Sequence, residues 1–204
     1  MRESDHLDFA CQCGAVAGRI EQVSPKNGDY VVCHCSDCQD LARYLGQSET
    51  VLDAHGGSHL YQSRCAQMTI EQGADRLRSL HLTDKGTLRW FAECCKTPLF
   101  NTYANGKVPY VTTQLAACEP SEVRQMLGAP LGHLFLDDAP IDASHLRELS
   151  LARLMRRFFV RMIKDVFGRQ RRKSALFDSQ TLEPISPPHR LTTDERTALW
   201  ELRP

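Results

Sequence analysis

Cys33-His34-Cys35-Ser36-Asp37-Cys38 is the stretch on which the reading turns. It holds three thiols within six residues. Sulfurs spaced this closely converge on one tetrahedral point and read as metal ligands, not disulfide partners. Cys33 and Cys35 alternate onto one face of an extended segment, so His34 between them points away from the metal. Cys38 returns from the first turn of a helix expected over residues 38–45, with Ser36 or Asp37 as N-cap and Gly46 as stop. The positive potential of that helix N-terminus favours thiolates. Three sulfurs leave two alternatives: a reactive ion with an open fourth position, or a structural ion closed by some further ligand.

Two more thiol pairs flank this run. Cys11 and Cys13, in Cys11-Gln12-Cys13-Gly14-Ala15-Val16, share one side of an extended chain. Two further ligands are needed, and the adjacent Cys94 and Cys95, in a turn after a strand ending in Trp90-Phe91, are the donors expected to supply them. A closed four-sulfur zinc site is structural and contributes folding free energy. The cofactor expected is therefore Zn²⁺, one or two per chain. Cys65 and Cys118 lie outside the clusters and read as small buried apolar residues.

Outward from the thiols, residues 14–136 are short and β-like. Segments 15–23, 29–32, 59–63, 66–71, 77–82, 88–91 and 108–113 read as strands without helical crossovers, which argues for a mainly β, metal-braced fold. Thr97-Pro98-Leu99 reads as a rigid turn, and residues 120–127 as a short helix ending at Gly128.

The last third changes character. Residues 1–144 carry 12 Lys/Arg against 18 Asp/Glu, net −6, whereas residues 145–204 carry 13 against 7, net +6. Residues 146–167 form the longest periodic stretch, with Leu151, Leu154, Met155, Phe158, Phe159, Met162, Ile163, Val166 and Phe167 recurring at three- and four-residue steps. Arg153, Arg156, Arg157, Arg161 and Lys164 fill the other face, and Arg169, Arg171, Arg172 and Lys173 follow. The expected organisation is a zinc-binding β domain over 1–140, a basic amphipathic helical segment over 145–173, and a tail over 174–204. The tail carries Pro184, Pro187 and Pro188, then a terminal helix with Thr192 and Glu195 as capping box. The basic helix is expected to pack its apolar stripe on its own domain, with an anionic membrane surface or nucleic acid ranked behind. The charged opening Met1-Arg2-Glu3-Ser4-Asp5-His6 lacks the apolar core of a signal peptide, and free thiols suit a reducing compartment, so a cytoplasmic location is expected.

Read together, Cys11-Gln12-Cys13-Gly14-Ala15-Val16, Cys33-His34-Cys35-Ser36-Asp37-Cys38 and Arg89-Trp90-Phe91 leading to Cys95 and Thr97-Pro98-Leu99-Phe100 resemble the glutathione-dependent formaldehyde-activating enzymes. That family also includes centromere protein V-like proteins, and the resemblance spans about residues 7–115. It implies a β fold like that of Mss4, two zinc sites, and carbon–sulfur lyase chemistry on glutathione–aldehyde adducts. It also implies that Cys11, Cys13 and Cys95 belong to the structural site and Cys33, Cys35 and Cys38 to the reactive one. The chain departs from the family in its last motif: Ala92 stands where a ligand cysteine falls and Lys96 where a glycine falls. Either Cys94 takes the vacant place, or the first site is incomplete, or three thiolates share the ion with a His or water. The alternative function is a non-catalytic, zinc-stabilised binding module whose basic helix engages a protein, an anionic membrane or nucleic acid.

Overall fold

The computed structural model describes residues 5–84, 86–168 and 170–202. Residues 1–4, Arg169 and the side chain of Lys164, named above, lie outside the described residues. In chain order the strands are β1 (Leu7–Ala10), β2 (Ala17–Ile20), β3 (Asp29–Cys33), β4 (Ser58–Arg64), β5 (Met68–Gln72), β6 (Leu77–His81), β7 (Thr87–Ala92), β8 (Pro98–Tyr103), β9 (Tyr110–Gln114), β10 (His133–Leu134) and β11 (His189–Arg190). The α-helices are α1 (Ser36–Tyr44), α2 (Ser48–Val51), α3 (Pro120–Leu127), α4 (Leu151–Phe167) and α5 (Thr193–Glu201). The chain is mainly β with an appended C-terminal amphipathic helix, as its short alternating segments predict.

Strands β1, β2 and β5 form a three-stranded sheet, and the others an eight-stranded sheet in the order β10-β3-β4-β9-β8-β7-β6-β11. Alternation along the large sheet separates its two faces. One face presents Tyr61, Leu88, Trp90, Phe100 and Val111 to an apolar core shared with Leu7, Phe9 and Ile20 of the small sheet. The Phe9 and Phe100 rings meet edge-on at 5.0 Å, and Phe177 of the tail packs edge-on against Trp90 at 6.0 Å.

The opposite face is polar and still buried. Arg89 pairs with Asn101, Asn101 with Thr112, Thr112 with Gln62, and Gln62 with Asp29, so five polar side chains cross the sheet in one row. None is more than 8% exposed. Helix α4 closes one end of this face through Arg157 Nε, which donates to Asp29 Oδ1 at 2.6 Å, and through Arg161, which bonds Asp29 Oδ2. Arg64 Nη1 holds Asp165 Oδ1 at 2.8 Å on the same helix.

Two expectations are corrected. Pro98 and Leu99 open β8 and are not a turn, because a proline lacking its N–H is tolerated as the first residue of a strand. Helix α4 starts at Leu151, not at residue 146, since the backbone before it is used elsewhere: His133 N–H donates to Arg147 O and Leu149 N–H to His133 O. The helix also divides its apolar positions. Leu154, Phe158 and Met162 are buried, whereas Met155, Phe159, Ile163, Val166 and Phe167 are exposed. The expected capping box is present, with Thr192 accepting from Glu195 N–H and Glu195 accepting from Thr192 N–H. No helix among the described residues is long and apolar enough to cross a membrane.

Candidate metal centres

Two tight turns build the first thiol cluster. After β1 the chain reverses over Cys11–Val16, with Gly14 N–H donating to Cys11 O at 2.8 Å and Gly14 in the left-handed region at φ 74°. The reversal aims Val16 N–H at Cys11 Sγ across 3.3 Å. The second turn joins β7 to β8, closed by Ala92 N–H to Thr97 O at 2.9 Å, and carries Cys94 and Cys95. Thr97 ties the two turns together: its Oγ1 accepts from Gln12 N–H and lies 3.1 Å from Cys95 Sγ.

The four sulfurs of Cys11, Cys13, Cys94 and Cys95 all lie within 4.8 Å of one another. Cys11–Cys13 is 3.6 Å, Cys11–Cys94 3.9 Å, Cys13–Cys94 3.3 Å and Cys94–Cys95 3.9 Å. A metal with about 2.3 Å bonds to four sulfurs has tetrahedral edges of about 3.8 Å, so this donor set fits a tetrahedral ion. Burial alone would raise the Cys95 thiol, but hydrogen bonds from the Thr97 hydroxyl and from the Cys13 and Thr97 backbone outweigh it and lower it to about 6. Ala92 is fully buried in the apolar core, and Cys94 stands with the other three thiols. Lys96 adopts φ 58°, the conformation that glycine tolerates best, and its ammonium lies 5.4 Å from the centre of the Phe91 ring.

The second cluster lies across the large sheet. Cys33 ends β3, Cys35 is the N-cap of α1 and Cys38 sits in its first turn, their sulfurs again within 4.8 Å of one another. Neither Ser36 nor Asp37 caps the helix as expected; Ser36 N–H is taken by Asp138 Oδ2 at 2.9 Å, and Asp37 faces Arg89 at 3.8 Å. Arg89 Nη1 donates to Cys38 Sγ at 3.6 Å. Cys38 is held well below the ordinary thiol range, first by hydrogen bonds from Cys33 and Cys35 and then by Arg89. Cys33 is pushed up in exchange, because it donates to the other two. Cys35 is likewise raised, to about 11, and the three sulfurs together are a donor set compatible with a metal ion.

The two clusters differ in what they face. The four-thiol cluster closes on itself near the surface, with Cys13 and Cys94 exposed. The three-thiol cluster opens on a cavity of about 240 Å³. Leu60, Leu134, Tyr103 and Phe135 wall this cavity, and its floor is the cross-sheet row of Arg89, Asn101, Thr112 and Gln62. Asn101 Nδ2 donates to Thr112 Oγ1 at 2.9 Å, while its buried Oδ1 has no partner among the described residues.

Cys65 and Cys118 are buried away from both clusters, as expected. His34 is fully buried and directed away from the thiols, its Nε2 3.0 Å from His133 Nδ1 and its Nδ1 3.1 Å from His55 O. Beside it stands a polar chain that sequence spacing does not announce. His59 bridges the Tyr30 hydroxyl, 2.7 Å from its Nδ1, and Asp53 Oδ2, 3.3 Å from its Nε2, at the edge of a second cavity.

A model of a family of unknown function, DUF6151, matches residues 3–122, which contain both thiol clusters. No curated protein matches the chain. Among solved structures, a crystal structure of a Rhodobacter sphaeroides protein, a structural genomics target, is 18% identical with a TM-score of 0.40, covering 59% of this chain and 98% of its own.

Proposed function

This chain belongs to DUF6151, a family of unknown function, and on that premise we propose that it is a zinc–thiolate protein acting on small thiols and their aldehyde adducts at Cys33, Cys35 and Cys38. The observation that carries the reading is the contrast between the clusters: four thiols closed on themselves at one, three thiols facing a cavity at the other. Cys11, Cys13, Cys94 and Cys95 hold a structural ion that fastens the β1–β2 turn to the β7–β8 turn. Cys33, Cys35 and Cys38 hold the second ion. Zinc bound there supplies Lewis acidity that stabilises a thiolate or alkoxide.

The chain's own residues do the rest. Arg89 offsets the negative charge of three thiolates in a buried setting, where an uncompensated charge is costly. Asn101, Gln62 and Thr112 line the polar floor that a ligand in the cavity would meet. Leu134 and Phe135 cover the cavity on its apolar side and limit water. The reaction class we assign is addition of a thiol to an aldehyde, or its reversal. The carbon–sulfur bond forms as the thiol proton ends on the aldehyde oxygen. The resemblance to formaldehyde-activating enzymes supports the same class.

Exchange spectroscopy by NMR on formaldehyde with glutathione tests the proposal. Wild-type protein accelerates exchange between free thiol and hydroxymethyl adduct, and folded Cys35→Ser protein leaves it at the uncatalysed rate. Equal rates with the two proteins would overturn the reading.

A further inference from the structure

Helix α4 leaves most of its apolar surface uncovered. Leu154, Phe158 and Met162 pack inward along one narrow edge, which Leu151, 51% exposed, opens as the first residue of the helix, while the arc beside them carries Met155, Phe159, Val160, Ile163 and Phe167, between 38% and 84% exposed. With Val166, this one helix supplies seven of the fourteen large apolar side chains exposed among the described residues, so the patch is concentrated and not scattered. A contiguous exposed patch of this kind marks a binding surface.

Charge decides what covers it. The sole carboxylate of the helix, Asp165, is 1% exposed and held by Arg64, so it faces no external partner. Arg157 and Arg161 are engaged with Asp29. Arg153 and Arg156 remain exposed, and Arg172 and Lys173 are exposed just beyond the helix end. At 100° per residue Arg156 falls inside the apolar arc, between Ile163 and Phe167, and Arg153 falls at its border. Self-association through this arc would bring Arg156 of each copy against like charge and apolar surface. A bilayer with anionic headgroups instead meets the arc with hydrocarbon and the arginines with phosphate, their stems reaching up from the apolar level. The helix is about 26 Å long, and it is unsuited to crossing a membrane. On a bilayer such a helix would lie in the interface plane.

We propose that α4 is a binding site for anionic bilayer surfaces, with the arc of Met155, Phe159, Val160, Ile163 and Phe167 in the acyl boundary and Arg153 and Arg156 at the headgroups. The site is independent of the thiol chemistry. The Asp29 clamp fixes the helix to the domain and leaves the arc outward.

Co-sedimentation of the full metal-loaded chain with vesicles tests this, using phosphatidylcholine alone and phosphatidylcholine containing phosphatidylglycerol. Binding is expected to the anionic vesicles and to weaken with salt. Arg153→Gln with Arg156→Gln should reduce it roughly 30-fold, at about one unit of interfacial attraction per charge. Phe159→Ser with Ile163→Ser should reduce it about tenfold or more. These positions are exposed, so folding is retained; as a second readout, Phe167→Trp fluorescence should shift to the blue on anionic vesicles and be quenched by brominated lipid. Absence of vesicle binding, or variants that bind like wild type, would overturn the proposal. So would a dimer in solution that the Phe159→Ser, Ile163→Ser protein cannot form, or binding to nucleic acid in place of vesicles.

Discussion

Arg89 Nη1 lies 3.6 Å from Cys38 Sγ, which sets a 6%-exposed guanidinium directly against the cluster of Cys33, Cys35 and Cys38. Three thiolates around a divalent ion leave one negative charge over, and Arg89 is the cation placed to offset it. Its neighbour across the strand pair is Asn101, so the same register that delivers the charge also delivers the polar floor of the cavity.

Arg89→Leu should therefore weaken metal binding at the three-thiol site by about 10- to 100-fold, the usual scale for losing a group that supports metal ligands. Arg89→Lys should recover part of the loss. Competition with a chromogenic chelator measures both, and an unchanged affinity in Arg89→Leu would show that the charge is balanced elsewhere.

Asp29 is fully buried between Arg157 and Arg161, and replacing it by asparagine removes the charged partner of both, leaving Arg157 its bond to Pro25 O. Breaking a buried ion pair from one side costs about 3–5 kcal/mol, and the partial exposure of Arg157 moves the expectation to about 2–3 kcal/mol. Hydrogen exchange should show α4 loosened before the sheets. Protection of α4 equal to wild type would contradict the clamp.

Lys96 occupies a left-handed position that costs an L-residue about 1–2 kcal/mol, partly offset by the entropy that a glycine would lose. Lys96→Gly should raise stability by about 0.5 kcal/mol after the contact with Phe91 is given up. Denaturant melts decide it, and a lower midpoint would mean that the ring contact outweighs the backbone strain.

His81 is held below its ordinary pKa by burial, against the opposing hydrogen bond to Thr87 O. With the folded value depressed, the unfolded chain binds more protons as pH falls below about 6.5. His81 thus contributes stability above that pH that is lost on acidification. His81→Asn should flatten the decline between neutral and mildly acidic pH. An unchanged slope would assign the decline to other groups.

Local spacing was enough to find the thiols. Cys11 and Cys13, or Cys33, Cys35 and Cys38, are close in the chain, and alternation of apolar residues marked most of the strands around them. The row from Arg89 to Asp29 was not legible, because it exists only once β7, β8, β9, β4 and β3 are paired in register. Polar residues inside strands, such as Arg89 between Leu88 and Trp90, were its only trace. The Tyr30–His59–Asp53 chain was hidden for the same reason. Periodicity located α4 but not its uncovered arc, since a stripe of apolar residues does not reveal how much of it the domain covers.

Cys94 completing the four-thiol site, with a second ion at Cys33, Cys35 and Cys38, is the claim on which the account rests. Elemental mass spectrometry on protein purified under reducing conditions tests it most directly. Wild type should carry close to two zinc ions per chain, and Cys35→Ser and Cys94→Ser each close to one. Loss at the structural site should also lower the thermal midpoint of Cys94→Ser by about 10 °C. A wild-type content of one or less, or a Cys94→Ser protein that keeps two, would contradict the account.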